Sequence, residues 1–485
     1  MKKIFAILLA VLMLLPVMTA CLDSAGEATQ TDPISTVAET AEPDPTEVRK
    51  AVADDLPDVN YEGYVFTVLA RDRDDFVKDI GVGTEETGDV IVDAIYRRNA
   101  TVAERFNIAI EAFHTAEPIV KLRQAVQAND DTYGIMLDHV INMGSAALDG
   151  NYLDWYDDLP YVNLDKPWYI GNAVDALSVE NHAYLMAGEY CLSILRFTYC
   201  MYFNKQIAEN YNTGDLYGTV MDGKWTIDRL DSIVKQVHED LDGNGAMNEL
   251  DLYGFTTDYY SAAITYQYAF DNPVMTKKEG GIPEMTYNSP KMPEIVDKLI
   301  DFFYANEGSY PGDWGVSGPL WMEGRALFLN GLFSSAESYR DYDFDFGIIP
   351  YPKWDENQVS YYTMSDGAHD VMAVPISSSN PERSSVIVEA LNAESYKQVI
   401  PAYYETALKV KYTRDDESVL VLDMVLDART FDFGYVYDGW QGVAFLLQNL
   451  TSANSRDYAS TFARLEENAI LRYEKVVDTL LGLED

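Results

Sequence analysis

YVFTVLA (residues 64–70) is followed along the chain by GDVIVDAIYRRNATVAERF (residues 88–106) and NIAIEAF (residues 107–113). The first and third segments are rich in β-branched and aromatic residues, which favour strands. In the second segment, apolar residues recur at the spacing of one helix face: Val92, Ile95, Tyr96, Val102 and Phe106. The pattern therefore predicts a strand, a helix and a second strand in succession.

The next two segments repeat this alternation. PIVKLRQAVQA (residues 118–128) has a helical pattern, and YGIMLDHV (residues 133–140) is typical of a strand. Strands that alternate with helices pair in parallel, because the crossover helix returns the chain to the same edge of the sheet. We therefore predict an α/β sheet.

The remainder of the chain mixes both periodicities. MAGEYCLSILRFTYCMYFN (residues 186–204) predicts two β-rich runs, and TIDRLDSIVKQVHED (residues 226–240) predicts a helix with Thr226 as its N-cap. DFGIIPYP (residues 345–352) and HDVMAVPISSS (residues 369–379) predict strands, and helices are expected from there to the C-terminus.

The chain begins with an export signal. Two lysines precede an apolar run (residues 4–18) that is too short to span a bilayer, and small residues then precede Cys21. This order is that of the bacterial lipobox, although Met18 stands where Leu is usual. We predict that residues 1–20 are a lipoprotein signal peptide and that Cys21 carries lipid. An ordinary secretory signal followed by an incidental cysteine is the alternative.

Residues 21–60 are rich in Asp, Glu, Thr, Ala and Pro. Such a segment repels itself and has little apolar surface to bury, so it predicts a disordered acidic tether. No second long apolar run follows it. The folded part is therefore expected on the extracellular face of the cell membrane, anchored through the N-terminal lipid.

The charge of the chain excludes one class of partner. Asp and Glu total 79 against 35 Lys and Arg, which gives a net charge of −44 and repels nucleic acid. Hydrophobic residues make up 47% of the chain, enough for a large core. Cys191 and Cys200 are predicted to be small buried apolar residues, with a disulfide between them as the alternative.

DLDGNGAMNELD (residues 240–251) has the spacing of a calcium-binding loop, with Gly245 at the position of the sharp turn. Six residues are the predicted ligands: Asp240, Asp242, Asn244, Ala246, Asn248 and Asp251. A strand-like run follows the loop, which argues against a helix–loop–helix sensor. We predict a structural Ca²⁺ site, and an Asx-rich turn without metal is the alternative.

Short motifs occur in a characteristic order from residue 203 onward. They are FNK (203–205), GKWTIDRL (223–230), YGF (253–255), EGRALFLNG (323–331), DFGIIPYPK (345–353) and VMAVPISSSNPE (371–382). Together with the lipobox, they resemble the extracellular solute-binding proteins of ABC importers, of the family 1-like type that binds sugars and oligosaccharides. PAYYETALKVKYTRDDES (401–418) resembles a branch of that family common in gut Firmicutes.

This resemblance implies a type II periplasmic-binding-protein-like fold, in which crossover hinge segments join two α/β lobes and the ligand lies in the cleft. Lobe 1 would take residues 61–190 and 361–395, and lobe 2 would take residues 191–360 and 396–485. The resemblance also implies a monomer whose lobes close around the ligand and whose partners are ABC permease subunits.

A sugar presents apolar C–H faces and a rim of hydroxyls, so its site needs flat rings and polar side chains. Tryptophans in loops marked by Gly or Pro are the candidate stacking platforms: Trp168, Trp314 and Trp440. The other candidates lie near predicted strand ends, near crossovers or in PAYYE: Arg71, Asp72, Glu189, Asp366 and Tyr403. For each of them, the alternative is core packing or a solvated loop charge.

No catalytic motif accompanies these residues. The five histidines form no HExxH, and the chain has no GxSxG elbow and no Walker loop. We predict a binding protein, not an enzyme, that captures a small polar solute, a carbohydrate, for an ABC importer. The alternatives are a cell-surface glycan-capture lipoprotein without a transporter and a glycoside hydrolase with paired carboxylates.

Overall fold

The computed structural model describes residues 45–81, 83, 85–278, 281–412, 416–439 and 442–483. The predicted signal peptide, Cys21 and most of the predicted tether lie outside these residues. Within them, no helix combines the length and the apolar composition that crossing a bilayer requires.

Strands and helices alternate along most of the described chain. The strands are β1 Tyr64–Arg71, β2 Ile108–Thr115, β3 Ile135–His139, β4 Tyr199–Asn204, β5 His238–Glu239, β6 Leu252–Asp258, β7 Met275–Lys277, β8 Pro283–Met285, β9 Ser309–Gly312, β10 Ala326–Leu332, β11 Phe346–Ile349, β12 Thr363–Met364, β13 Asp370–Ala373 and β14 Arg429–Thr430.

The α-helices are α1 Pro45–Lys50, α2 Asp74–Ile80, α3 Val90–Phe106, α4 Pro118–Gln127, α5 Val140–Ala147, α6 Gly171–Leu177, α7 Leu192–Arg196, α8 Lys205–Asn210, α9 Leu216–Met221, α10 Ile227–Val234, α11 Thr265–Ala269, α12 Lys291–Ile300, α13 Trp314–Met322, α14 Ala336–Tyr339, α15 Pro381–Glu394, α16 Asp416–Asp427, α17 Phe433–Tyr437, α18 Leu446–Ser452 and α19 Tyr458–Leu480. Wider helical turns occupy Asp301–Ala305, Ser395–Val399 and Pro401–Tyr412, and 3₁₀ turns occupy Phe333–Ser335 and Val443–Phe445.

The first sheet has the strand order β13-β3-β1-β2. β1 pairs in parallel with both β2 and β3. β13 returns from late in the chain and pairs antiparallel with β3, with Asp370 opposite His139. The predicted α/β sheet with parallel pairing is confirmed. We call this sheet, with the helices that pack on it, lobe 1.

Helix α3 shows how the local sequence sets an element of lobe 1. Its buried apolar residues lie on one face: Ala94, Ile95, Val102 and Phe106. The carboxylate of Asp89 caps its N-terminus by accepting from the backbone N–H groups of Ile91 and Val92 at 2.9 and 3.0 Å. Asn107 ends the helix with a left-handed φ of 49°, a conformation that Asn tolerates better than most residues.

The second sheet has the order β11-β4-β10-β6-β5, and β9 also pairs with β6. β4 runs antiparallel to β10 and β11, whereas β6 runs parallel to β10 and β9. We call this sheet, with its helices, lobe 2. The two β-rich runs predicted in residues 186–204 are only partly correct, because β4 is a strand but Leu192–Arg196 forms helix α7. A short, buried apolar run is compatible with either structure.

Three of the described segments that pass between the lobes lie side by side, and we call them the hinge. The first is residues 197–199, which enter β4. The second is residues 363–366, which follow lobe 2 and lead to β13. The third is β14, which lies between α16, packed on β11, and α17, packed on α5.

Hydrogen bonds join the hinge segments to one another. Thr198 and Ser365 form an antiparallel bridge, and β12 pairs in parallel with β14. The Thr363 hydroxyl donates to the backbone oxygen of Tyr199 at 2.8 Å, and the Thr430 hydroxyl donates to the backbone oxygen of Thr363 at 2.8 Å. The three segments therefore form one connected strip of backbone.

Residues 45–60 pack on the folded region, so the predicted tether extends too far in sequence. Three of their apolar side chains contact the core: Val52, Leu56 and Val59. Asp54 pairs with Arg105 at 2.6 Å, which offsets the repulsion expected among the acidic residues of this segment. Counting acidic residues alone misses partners that only the fold brings near.

The C-terminal region, predicted to belong to lobe 2, contacts both lobes. The segment Pro401–Tyr412 packs against α3 of lobe 1 and α14 of lobe 2, and α17 packs against α5 of lobe 1. The predicted burial of Cys191 and Cys200 is confirmed, and both thiols are free. Burial raises the pKa of each thiol.

Glu389, Asp432 and Asp438 are among the carboxyl groups that the fold buries. Glu389 accepts hydrogen bonds from Trp168 Nε1 at 3.0 Å and from the Tyr169 hydroxyl at 2.6 Å. Burial raises the pKa of Glu389 to about 7 and the pKa of both Asp432 and Asp438 to about 6. The folded state therefore keeps protons that the unfolded chain releases near its ordinary carboxyl pKa.

We expect these three carboxyls to lower the free energy of unfolding as the pH rises from about 4.5 to about 7.5, while His139 and His369, whose pKa values are lowered by burial, contribute in the opposite direction. A raised pKa stabilises the fold fully below the unfolded pKa, and this stabilisation is lost as each group ionises in the folded state. The change is on the order of 1.4 kcal/mol for each unit of pKa shift. Urea unfolding across this pH range measures it.

The Glu389→Gln variant should show a shallower pH dependence, whereas Glu294→Gln, at an exposed site on α12, should keep the wild-type dependence. Carboxyls whose pKa is lowered, such as Asp93 beside the backbone N–H donors of Thr87 and Gly88, change the free energy of unfolding only at pH values below about 4.5. A pH dependence in Glu389→Gln as steep as that of the wild type would contradict the prediction.

Candidate functional site

The carboxyl ends of β6 and β9 lie side by side at one edge of lobe 2. Asp258 ends β6 and is opposite Gly312, the last residue of β9. Asp313 and Trp314 follow Gly312, and Tyr260 follows Asp258 closely in sequence. Ligands of α/β proteins bind outside this edge of the sheet.

Asp258 belongs to a group of interacting carboxylates. Its Oδ1 accepts from the backbone N–H groups of Tyr260 and Ser261 at 2.9 and 2.6 Å. Its pKa is nevertheless raised, first by burial and then by the negative charges of Asp313 and Asp366. A ligand that donates hydrogen bonds, or that carries positive charge, would relieve this repulsion.

Asp366 connects the hinge to this group. Its backbone N–H donates to the Phe197 oxygen at 2.9 Å. One carboxylate oxygen accepts from the Tyr199 hydroxyl at 2.6 Å, and the other accepts from the Ala368 N–H at 2.9 Å. The structure thus brings the predicted residue Asp366 next to carboxylates from lobe 2.

Two aromatic rings are exposed beside the carboxylates. Trp314 is 47% exposed and Tyr260 is 38% exposed. Tyr435 is buried nearby. Burial raises its pKa most, and the charges of Asp366 and Tyr260 raise it further. Flat rings can contact the apolar face of a ligand, and the neighbouring carboxylates can accept hydrogen bonds from the donors on its rim.

The facing edge of lobe 1 contributes cations. Arg71 binds Asp138 through two contacts, Nε–Oδ1 at 2.5 Å and Nη2–Oδ2 at 3.0 Å, so this predicted residue supports the sheet. Asp72 is exposed beside it. Arg73 reaches His139 Nε2 at 3.3 Å. Burial and then the charges of Arg71 and Arg73 lower the pKa of His139 to about 3, which keeps its ring neutral.

Trp168 and Tyr403 do not lie at an exposed surface. Both side chains are fully buried, and the indole N–H of Trp168 donates to Glu389. Core packing covers both rings, so neither offers an exposed face for stacking. A position in a loop marked by Pro does not determine exposure.

The remaining two candidates lie elsewhere. Glu189 is half-buried near the hinge, where its backbone N–H donates to the Trp168 oxygen at 2.8 Å. Burial raises its pKa, and the charges of Arg429 and then Arg49 oppose this shift. Trp440 lies outside the described residues.

Sequence reasoning missed Asp258, Tyr260, Asp313 and Arg73. The available signal was an acid followed by aromatic residues directly after a strand, as in LYGFTTDYY (residues 252–260). Asp258, Tyr260 and Asp313 come together only because β6 and β9 are neighbours in the sheet, and the local sequence does not indicate this pairing.

The loop of residues 240–251 lies between β5 and β6, so the strand predicted after it is confirmed. Carboxylate oxygens of Asp240, Asp242 and Asp251 lie within 4.8 Å of one another. Backbone N–H groups of Gly245 and Gly243 lower the pKa of Asp240. Asp251 is fully buried and accepts from two backbone N–H groups, at 2.8 and 2.7 Å.

The other predicted ligands hydrogen-bond within the loop. The amide of Asn244 donates to Asp242 at 2.7 Å, and the amide of Asn248 donates to the backbone oxygen of Ala246 at 3.2 Å. Carboxylate, amide and backbone oxygens are the ligands that Ca²⁺ uses. The residues present therefore suit this ion.

No protein-family model matches the chain, and no curated protein matches it. Solved structures do match in shape. An ABC substrate-binding protein of Listeria monocytogenes in complex with cycloalternan has a TM-score of 0.52 at 12% identity, covering 87% of this chain and 100% of that chain. UgpB of Mycobacterium tuberculosis in complex with glycerophosphocholine has a TM-score of 0.56 at 14% identity, covering 85% and 98%.

A cyclo/maltodextrin-binding protein complexed with maltotetraose has a TM-score of 0.54 at 13% identity, covering 85% of this chain and 96% of that chain. The chain has the two-lobed type II periplasmic-binding-protein fold. In proteins of this fold, hinge motion closes the lobes around a ligand. The carboxylates and rings described above lie at the strand ends of this type II fold, beside the hinge.

The contrast between the two tryptophans gives a test of the site. We expect Trp168→Ala to lower the free energy of unfolding by about 3–5 kcal/mol, because it leaves a cavity in a core. Trp314→Ala should change it by less than about 0.5 kcal/mol, because that ring is half exposed. Urea unfolding of both variants measures these values, and equal losses would contradict the assignment.

Proposed function

We propose that this protein is a lipid-anchored extracellular solute-binding protein that captures a carbohydrate or oligosaccharide and delivers it to an ABC permease. One observation carries the proposal: the exposed residues Trp314 and Tyr260 lie within two positions of Asp313 and Asp258, whose charges interact at the strand ends of lobe 2. The rings suit the C–H faces of a sugar, and the carboxylates suit its hydroxyls.

The neighbouring structures support this ligand class. Two of them are complexes with sugars, cycloalternan and maltotetraose, and another is a complex with glycerophosphocholine. All three ligands are rich in hydroxyl or other polar groups. A small polar solute is therefore the broad proposal, and a carbohydrate is the specific one.

The N-terminal sequence and the fold support the proposed attachment and partners. Lipid on Cys21 would hold a monomer on the outer face of the cell membrane, and permease subunits would receive the closed form. The chain would bind its solute without chemical change. The raised pKa of Asp258 beside other carboxylates favours one competing function, a glycoside hydrolase, since such enzymes use paired carboxyl groups.

A thermal-shift screen with glycans and oligopeptides tests the proposal. A glycan at 100 times its Kd should stabilise the protein by about 2.7 kcal/mol. Trp314→Ala and Asp258→Asn should abolish the shift at the same glycan concentration. Asp222→Asn, at an exposed position far along the chain from the site, should preserve it.

The outcomes separate the alternatives. A shift with peptides and none with glycans would show that the carbohydrate assignment is wrong. Release of reducing sugar from a bound glycan would support the hydrolase instead. Glycan binding without any permease gene nearby would support a glycan-capture lipoprotein.

We also propose that the loop of residues 240–251 holds a structural Ca²⁺ ion. The three carboxylates near one another support this proposal, since a cation would reduce their mutual repulsion. The ion would stiffen the connection between β5 and β6. It would lie away from the solute, because this loop precedes β6 whereas Asp258 ends it.

Chelation tests the calcium proposal. Because calcium at 100 times its Kd stabilises the folded state by about 2.7 kcal/mol, a chelator should lower the melting temperature. Asp242→Ala should remove this sensitivity, whereas Asp165→Ala, at another exposed site, should keep it. A wild-type melting temperature that does not respond to the chelator would show that the loop is a metal-free turn.

A further inference from the structure

Arg196 lies at the end of α7, directly before the first hinge segment, and its guanidinium contacts carboxylates of both lobes. Its Nη1 is 3.0 Å from Oδ1 of Asp79, and its Nη2 is 3.7 Å from Oδ1 of Asp75; both acids are on α2 of lobe 1. Its Nε is 3.1 Å from Oε1 of Glu337, on α14 of lobe 2.

These charges are largely shielded from water. The side chain of Arg196 is 9% exposed, that of Asp79 is 3% exposed and that of Glu337 is 29% exposed. Salt therefore screens the contacts less than it screens surface pairs. Removing one partner of such a pair leaves a buried charge without compensation, which is strongly destabilising.

The surroundings of Arg196 show that the ion pairs cross a gap. A cavity of about 390 Å³ lies beside them, lined by residues of α2 and α3 on one side and of α14 on the other. The segment Pro401–Tyr412 packs against α3 and α14 and is the backbone element that spans this part of the lobes. Loosely packed lobes can change their angle at such a place unless polar contacts restrain them.

We propose that Arg196 is a positioning residue that restrains the angle between the lobes, because its guanidinium binds α2 of lobe 1 and α14 of lobe 2 at once. A change in the angle between the lobes that moves α2 and α14 apart must break the contact with Asp79 or the contact with Glu337. A rigid guanidinium fork can hold both acids, whereas a lysine ammonium is a single point of charge. This inference rests on the two-lobed fold and is independent of the solute that the protein binds.

Pulsed electron–electron double resonance on the protein without solute tests the proposal. Spin labels are placed on exposed helix positions, Glu104→Cys on α3 and Glu294→Cys on α12, in the full chain with Cys21→Ser. The native Cys191 and Cys200 are buried with raised thiol pKa values, so they do not compete for the label. The distance between the labels reports the angle between the lobes.

We expect Arg196→Met to broaden the distance distribution or to shift its mean by more than about 2 Å, the scale of a domain rearrangement. Arg196→Lys should give a smaller shift. Arg123→Met, which removes a pair with Asp149 within lobe 1, should leave the distribution unchanged.

Glu337→Gln provides a second route if Arg196→Met does not fold. It removes only the lobe 2 contact at a partly exposed side chain, and it should change the distance distribution in the same way. A wild-type distribution in a folded Arg196→Met or Glu337→Gln variant would overturn the proposal. Because no solute is present, this result is separate from the success or failure of the glycan screen.

Discussion

Three crossings of the chain lie side by side between the two sheets, and the hydroxyl groups of Thr363 and Thr430 join them. Each hydroxyl donates to a backbone oxygen of the neighbouring segment at 2.8 Å. The two sheets are formed largely by different parts of the sequence. The position of one sheet relative to the other therefore depends on how these crossings pair with one another. Asp366 lies on this strip, and its bond to Tyr199 ties the start of β4 to the site.

Charge is distributed unevenly around the hinge. On the side of lobe 2, burial and then like charges raise the pKa of Asp258. Part of the negative charge of the chain is therefore concentrated where a ligand would donate hydrogen bonds. On the side of lobe 1, Asp138 compensates Arg71, and two nearby arginines keep His139 neutral. Arg196 joins acids of both sides away from the strand ends. The hinge region therefore combines strain from like charges with ion pairs that hold the lobes.

Local signals were reliable where a single element decides the outcome. The buried face of α3 includes Ile95, Val102 and Phe106 as the spacing predicted, although Val92 is exposed, and Thr226 caps α10 as expected. The sequence predicted the structure less well where contacts with residues distant in the chain determine it. Residues 45–60 have the composition of a tether, but Arg105 and the core hold them in place. The run before β4 is helical although its residues suit a strand.

The sequence by itself determined the α/β class, the parallel pairing of the first strands and the loop of acidic residues before β6, because each depends on neighbours close in the chain. It could not rank the tryptophans, since Trp168 and Trp314 both lie in polar, loop-like stretches. The tertiary structure decided that Glu389 and the core cover Trp168 while Trp314 stays exposed. It also brought Asp258 within electrostatic reach of Asp313 and Asp366. This proximity depends on the strand order and on the chain crossings, because Asp258 and Asp366 are more than a hundred positions apart in the sequence.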